Sequence, residues 1–276
     1  MLDSLGRQVS VKTQPKRIIT IFSSNTEIVT ALGLTDQIVG IDAYTYYPDA
    51  IKNKPKIGGR LGFSLDKIIQ QQPDLVIMTT ARQATHQLIK PLEKMSIPTV
   101  VLESRNIDEI LQNIKLIAHL TGKDKEGQIL IEHMQTRLKK ATTKPQSYKK
   151  PKVVLLTGKV GNGLLLATRS NNYTADILLK AGAILALDEN NTNKTPQLSQ
   201  ISPEVLLSTN PDILLYAGSA KDLAQLSSIP GWQQMKAVKN KAVYIVPRSE
   251  LLIPGPRVIN GVERLAQLFD QWNRKQ

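Results

Sequence analysis

The feature that most constrains this chain is a duplication. Ser64-Leu65-Asp66-Lys67-Ile68-Ile69, followed by Pro73-Asp74-Leu75-Val76-Ile77, recurs as Ser202-Pro203-Glu204-Val205-Leu206-Leu207 followed by Pro211-Asp212-Ile213-Leu214-Leu215, and the register holds over fourteen positions. In each copy the serine is placed to cap a helix and the acid falls in the first helical turn. Pro-Asp then ends the helix and leads into an apolar strand. A weaker echo lies upstream of each copy, where Thr26-Glu27-Ile28 up to Gly33 resembles Ala175-Asp176-Ile177 up to Gly182. The chain reads as two related halves.

Each half has the same texture. Ile18–Ile21, Ile38–Ile41, Leu75–Met78 and Thr99–Leu102 are short runs rich in Ile and Val that alternate with longer helix-period segments. Val153–Leu156, Ile213–Tyr216 and Ala242–Val246 repeat the theme. Such alternation predicts parallel βα units, and hence an α/β fold with two lobes. The 276 residues suffice for two cores. Between the halves, Ile129, Leu130, Met134 and Leu138 recur at helical spacing within 123–140, predicting one long amphipathic helix. A Lys-rich polar stretch with Pro145 and Pro151 follows it and reads as a loop. The expected organisation is an N-terminal α/β lobe over 1–122, a linker helix and loop over 123–145, and a C-terminal α/β lobe over 146–276.

Composition narrows the function. Thirty-six Lys and Arg against twenty-three Asp and Glu give a formal charge of +13, which favours an acidic partner. The basic residues are dispersed apart from Lys139, Lys140, Lys144, Lys149, Lys150 and Lys152, and no recognition motif accompanies them, so no nucleic-acid partner is expected. The absence of cysteine excludes disulfides and thiolate chemistry. No run of eighteen apolar residues occurs. The opening Met1-Leu2-Asp3-Ser4 lacks the charged and apolar regions of a secretory signal, which fits either a cytoplasmic protein or a mature form whose leader has been removed.

No catalytic constellation is visible: there is neither G-x-S-x-G nor H-E-x-x-H, and the three histidines are far apart in sequence. No catalytic residue and no metal-ligating set is assigned. Gly158-Lys159-Val160-Gly161-Asn162-Gly163 lacks the closing Gly-Lys-Ser/Thr of a phosphate loop and reads as a turn or ligand-facing loop. His119 and His133 read as structural helix residues, and His86, after the Leu75 run, as a solvated helix residue or a group facing a cleft. Arg60, Arg82, Arg169, Arg248 and Arg257 fall near junctions where α/β sheets hold ligands. Tyr44, Tyr46 and Tyr47 form a compact aromatic group against Pro48, either loop packing or one wall of a pocket. Asp66 and Glu204 serve equally well as helix-dipole partners or as a symmetric pair of acids offered to a partner.

Asp3-Ser4-Leu5-Gly6-Arg7, Pro15-Lys16-Arg17-Ile18-Ile19, Ser24-Asn25-Thr26-Glu27-Ile28, Ala31-Leu32-Gly33-Leu34, Val39-Gly40-Ile41, Ile57-Gly58-Gly59, both Pro-Asp segments and Gly255-Pro256-Arg257-Val258-Ile259 follow one another in a familiar order. Over nearly the whole chain this resembles the class III periplasmic binding proteins for iron–siderophore, haem and vitamin B12. The resemblance implies two Rossmann-like lobes joined by a single rigid helix, with ligand in the cleft and little closure. It also implies a monomeric, non-enzymatic protein outside the cytoplasm, periplasmic or extracellular or anchored as a lipoprotein, that serves an ABC permease dimer. Asp66 and Glu204 stand where the family docks on its permease. Asp66 replaces the commoner Glu, keeping the charge on a shorter arm.

Tyr44 matches a ligand-contacting Tyr of the B12-binding members, but Arg60, Thr79 and Leu198 stand where those members have tryptophans. Gly59 stands where haem-binding members have a Tyr. The expected ligand set is therefore Tyr44, Tyr47, Arg60, Arg82, Arg169 and Arg248, suited to an anionic ferric chelate of siderophore or citrate type. Cobalamin or haem is the alternative ligand, and no intrinsic cofactor is expected.

Overall fold

A computed structural model describes residues 2–59, 61–79, 83–159, 163–188 and 198–276. The chain divides into two compact units, residues 1–104 with 108–134, and residues 105–107 with 135–276. The first contains β1 Ile18–Thr20, α1 Ser23–Ala31, β2 Ile38–Ile41, β3 Gly58–Gly59, β4 Gly62–Phe63, α2 Leu65–Gln70, β5 Leu75–Met78, α3 Gln83–His86, α4 Ile89–Lys94, β6 Thr99–Val101 and α5 Ile107–Leu120. The 19-residue helix α6, Asp124–Thr142, begins in the first unit and ends in the second. The second unit continues with β7 Lys152–Lys159, β8 Leu165–Thr168, α7 Tyr173–Lys180, β9 Ile184–Leu185, β10 Leu198–Ile201, α8 Pro203–Thr209 and β11 Ile213–Tyr216. It closes with α9 Ala220–Leu226, α10 Lys236–Lys239, β12 Val243–Ile245, α11 Arg248–Leu251 and α12 Val258–Asn273.

The protein is α/β, as the alternating pattern requires. In the first unit the sheet order is β2-β1-β5-β6, and every pairing is parallel. In the second the order is β10-β8-β7-β11-β12, with β9 also on β7. There β7, β11 and β12 are parallel, while β8 runs antiparallel to β7 and forms an antiparallel pair with β10, which therefore runs in the direction of β7. This antiparallel pair is a difference between the halves that hydrophobic periodicity does not announce. Strands β5 and β11, the two copies of the apolar run, are buried at all four positions. Fully burying each aliphatic side chain contributes about 1.5–3 kcal/mol, so these strands anchor the two cores. Ile19, Ile68, Val76 and Val101 pack in one core, and Val154, Leu156, Leu206 and Leu214 in the other.

The duplicated sequence produces duplicated local chemistry. Ser64 accepts from the Lys67 N–H at the start of α2, and Ser202 accepts from the Val205 N–H at the start of α8. After each helix the Pro-Asp aspartate ties the next strand to the central one. Asp74 accepts from the Lys16 and Arg17 N–H groups at 2.8 and 2.9 Å, and Asp212 accepts from the Lys152 N–H at 2.9 Å. Both aspartate N–H groups return the bond, to the carbonyls of Arg17 and Lys152. The weaker echo is equally physical. Gly33 at φ 79° and Gly182 at φ 103° end α1 and α7, and the residue after each glycine donates back to Val29 and Leu178 respectively. This is the same Schellman closure used twice.

Candidate functional site

In parallel α/β sheets the loops at the strand carboxyl ends carry ligands, because the helices lead away from there and leave side chains and N–H groups exposed. In the first unit these loops are organised by Asp42, just beyond β2 and only 2% exposed. Its Oδ2 accepts from the Phe22 N–H at 2.8 Å and from the Thr45 hydroxyl at 2.7 Å, while Oδ1 accepts from the Tyr44 N–H at 2.8 Å. One buried carboxylate thus fixes both the entry to α1, where Phe22 has φ 80°, and the tyrosine loop. Tyr44, Tyr46 and Tyr47 are 48%, 65% and 48% exposed, which makes them a surface group and not core packing. A Cβ on Gly59 would stand 3.3 Å from the Tyr44 ring, so the ring lies close over the glycine. Lys56 donates to the Thr45 carbonyl at 3.1 Å and sits 5.6 Å from the Tyr46 ring centroid. Burial pulls its ammonium pKa below the ordinary value against the opposing attraction of Asp42. Arg60 and Arg82 lie outside the described residues. Leu61, at the tip of the β3–β4 hairpin, is fully exposed.

In the second unit a depression of about 600 Å³ opens beside the carboxyl ends of β7 and β11. Thr157, Gly158, Tyr216, Gly218, Asp222 and Arg248 are among its lining residues. Arg248 is exposed, yet its Nη1 donates to the Thr157 carbonyl at 2.7 Å, near the carboxyl end of β7, and to the Ala217 carbonyl at 2.8 Å, just beyond β11. Tyr216 is buried against it, and desolvation followed by the charge of Asp222 raises its pKa, while Arg248 pulls the other way. Desolvation also pushes the nearby Tyr173 phenol up to about 12. Arg169 is held differently: its side chain is 14% exposed, Nη1 donates to the Leu187 carbonyl at 2.8 Å, and the Asp188 carboxylate is 3.7 Å away. Of the two described arginines of the expected ligand set, Arg248 is the one presented on an open surface.

Asp66 and Glu204 are both exposed, each in the first turn of its helix, α2 or α8. The Ser202 hydroxyl, and then the helix backbone, hold the Glu204 carboxyl below its ordinary value. The histidines are surface residues: His86 and His133 are exposed, and the 55% exposed His119 reaches Asp124 at 3.2 Å. Thr79 accepts from the Asn25 amide at 3.3 Å. Sequence reasoning missed Asp42, Lys56 and Asp222. For Asp42 a signal existed, since it is the first residue after an apolar strand and ahead of the tyrosines. No such signal marks Lys56, whose role depends on packing from another segment.

Proteins with this sequence pattern are substrate-binding components of ABC importers. A profile described as periplasmic binding protein matches residues 18–250, and the chain belongs to that family, the class III substrate-binding proteins of iron–siderophore, haem and vitamin B12 importers. Among its relatives is an uncharacterized ABC transporter substrate-binding lipoprotein of Bacillus subtilis strain 168, YvrC, 28% identical over 96% of this chain and 83% of that one. A vitamin B12-binding protein of Vibrio cholerae is 23% identical over 91% of this chain and 87% of its own. The solved structure of a possible iron-binding periplasmic solute-binding protein from Staphylococcus epidermidis superposes with a TM-score of 0.79 at 25% identity, covering 93% of this chain and 99% of that one. No helix among the described residues is long and apolar enough to cross a membrane.

Proposed function

We propose that this protein works outside the cytoplasm as a non-enzymatic monomer, capturing an anionic ferric chelate of siderophore or citrate type and presenting it to an ABC permease dimer. Tyr44, Tyr47, Arg60, Arg82, Arg169 and Arg248 would be the residues that contact the ligand. Asp66 and Glu204 would engage basic residues of the permease. In this reading residues 1–122 and 146–276 act as the two lobes, and 123–145 as the linker.

The observation that carries the reading is the state of Arg248. Its Nη1 is anchored on two strand-end carbonyls, so the planar cation is pre-oriented on an exposed surface, and no carboxylate among the described residues ties it down. A fixed guanidinium loses little freedom on meeting a carboxylate or catecholate. The exposed tyrosines supply flat faces for the apolar parts of a chelate.

Native mass spectrometry after exposure to ferric citrate, a ferric catecholate, hemin and cyanocobalamin tests the ligand class. Retention of a ferric chelate is expected, with Arg248→Gln weakening it about tenfold or more. Retention of cyanocobalamin alone would replace the ferric reading with the corrinoid one. A Soret band lost on substituting Tyr44, Tyr47 or His86 would replace it with haem. Thermal shift is the better companion readout than tryptophan fluorescence, because Trp232 and Trp272 are both buried in helical packing at 5% and 8% exposure. For docking, Asp66→Lys and Glu204→Lys should each abolish uptake while chelate affinity stays unchanged.

A further inference from the structure

We infer that the depression beside β7 and β11 is a subsite for a dipolar arm of the ligand, one carrying a carboxylate next to an N–H or O–H donor, with Asp222 as the residue that selects the donor. The inference deepens the reading of the protein as a chelate-binding protein and rests on it. Its ground is that two opposite charges, Arg248 and Asp222, line one depression of about 600 Å³ and are each tied elsewhere instead of to one another. Arg248 spends Nη1 on the Thr157 and Ala217 carbonyls. Asp222 spends Oδ2 on the Ser219 hydroxyl at 2.7 Å, and its own N–H returns a bond to that hydroxyl at 3.1 Å, a reciprocal cap at the start of α9. Nη2 and Nε of Arg248 and Oδ1 of Asp222 are left without partners among the described residues.

An acid and a base that can reach one another collapse into an ion pair and offer a ligand little. Held apart by separate anchors, they present a positive and a negative end at fixed spacing, which a dipolar group fills and a simple anion fills only halfway. The Tyr216 ring lies over Gly218, where a Cβ would stand 2.4 Å from its Cε1, and the ring is influenced by both charges. Burial raises this phenol's pKa, which favours the neutral hydroxyl as the hydrogen-bonding group offered to the depression. A purely anionic ligand gains Arg248 but meets Asp222 as a repulsive wall. The subsite therefore discriminates between chelates of equal size by the presence of a donor beside the carboxylate.

The test uses the full chain with glycine, acetate and methylammonium as probes, followed through the amide signals of Gly158 and Gly218 and the Nε–H signal of Arg248. Glycine is expected to bind about tenfold more tightly than acetate or methylammonium, as one added charge-assisted contact would produce. Asp222→Asn should bring glycine down to the level of acetate without changing acetate. Arg248→Gln should remove both carboxylate probes, and Arg248→Lys, which keeps the charge, controls for folding. Equal response to glycine and acetate, or a glycine preference that survives Asp222→Asn, overturns the inference. The same samples are then titrated with ferric citrate and a ferric catecholate. A dipolar preference without ferric-chelate binding sinks the ferric reading alone, and ferric-chelate binding without the preference sinks the subsite alone.

Discussion

At the scale of single residues, the tyrosine loop of the first unit hangs on Asp42. Asp42→Ala would leave the Phe22 and Tyr44 N–H groups without their acceptor, at a cost of about 1–3 kcal/mol in stability for each that stays buried. Urea unfolding should show a lower midpoint. Ligand affinity should fall with it, because the tyrosine loop loses its tether. A second residue-level expectation concerns alkaline pH. Burial pushes the phenols of Tyr148 and Tyr173 up to about 12 from the ordinary 10, so folding favours their neutral forms. Their contribution is fully present below pH 10 and is lost as pH rises from about 10 to 12, when the unfolded chain ionises first. A falling melting temperature across that window should accompany a late step in the ultraviolet titration, to which Tyr148 and Tyr173 contribute together with Tyr216, whose phenol is also raised by burial. Tyr173→Phe should remove part of both effects.

At the scale of elements, duplication makes paired predictions. Ser64→Ala and Ser202→Ala each delete one helix cap, and each should cost about 1 kcal/mol by chemical denaturation. The glycine stops of α1 and α7 should behave unequally. Both adopt positive φ, so alanine at either pays a left-handed backbone penalty of roughly 1–2 kcal/mol. A Cβ at Gly33 meets nothing within 4 Å, but one at Gly182 lies 2.9 Å from the Tyr148 hydroxyl and 3.1 Å from its ring carbons. Gly182→Ala should therefore be clearly the more destabilising, and Tyr148→Ala should relieve the difference. Equal costs would mean that the loop carrying Tyr148 yields freely.

At the scale of the whole molecule, a formal charge of +13 biases association with anionic ligands over distances comparable to the Debye length. The association rate for ferric citrate should fall as ionic strength rises from 0.01 to about 0.5 M, and the dissociation rate should change much less. A flat rate would mean that the charge on other faces is irrelevant to capture.

Much of this was legible beforehand because it is written in local patterns. The βα alternation, the Ser caps, the Pro-Asp strand starts and the long helix, expected over 123–140 and observed over 124–142, each depend on residues a few positions apart, so spacing alone determines them. The tertiary structure decided the rest. It chose the antiparallel β8–β10 pair, put Lys56 beside the tyrosine loop, and brought Thr157, Ala217 and Arg248 together from positions up to 91 residues apart in the chain. It also separated Arg169, held near Asp188, from Arg248, open on its depression, though the two look alike in sequence. The physical reason is that an arginine's availability depends on which acceptors the folded backbone brings within reach, and no short-range pattern encodes that.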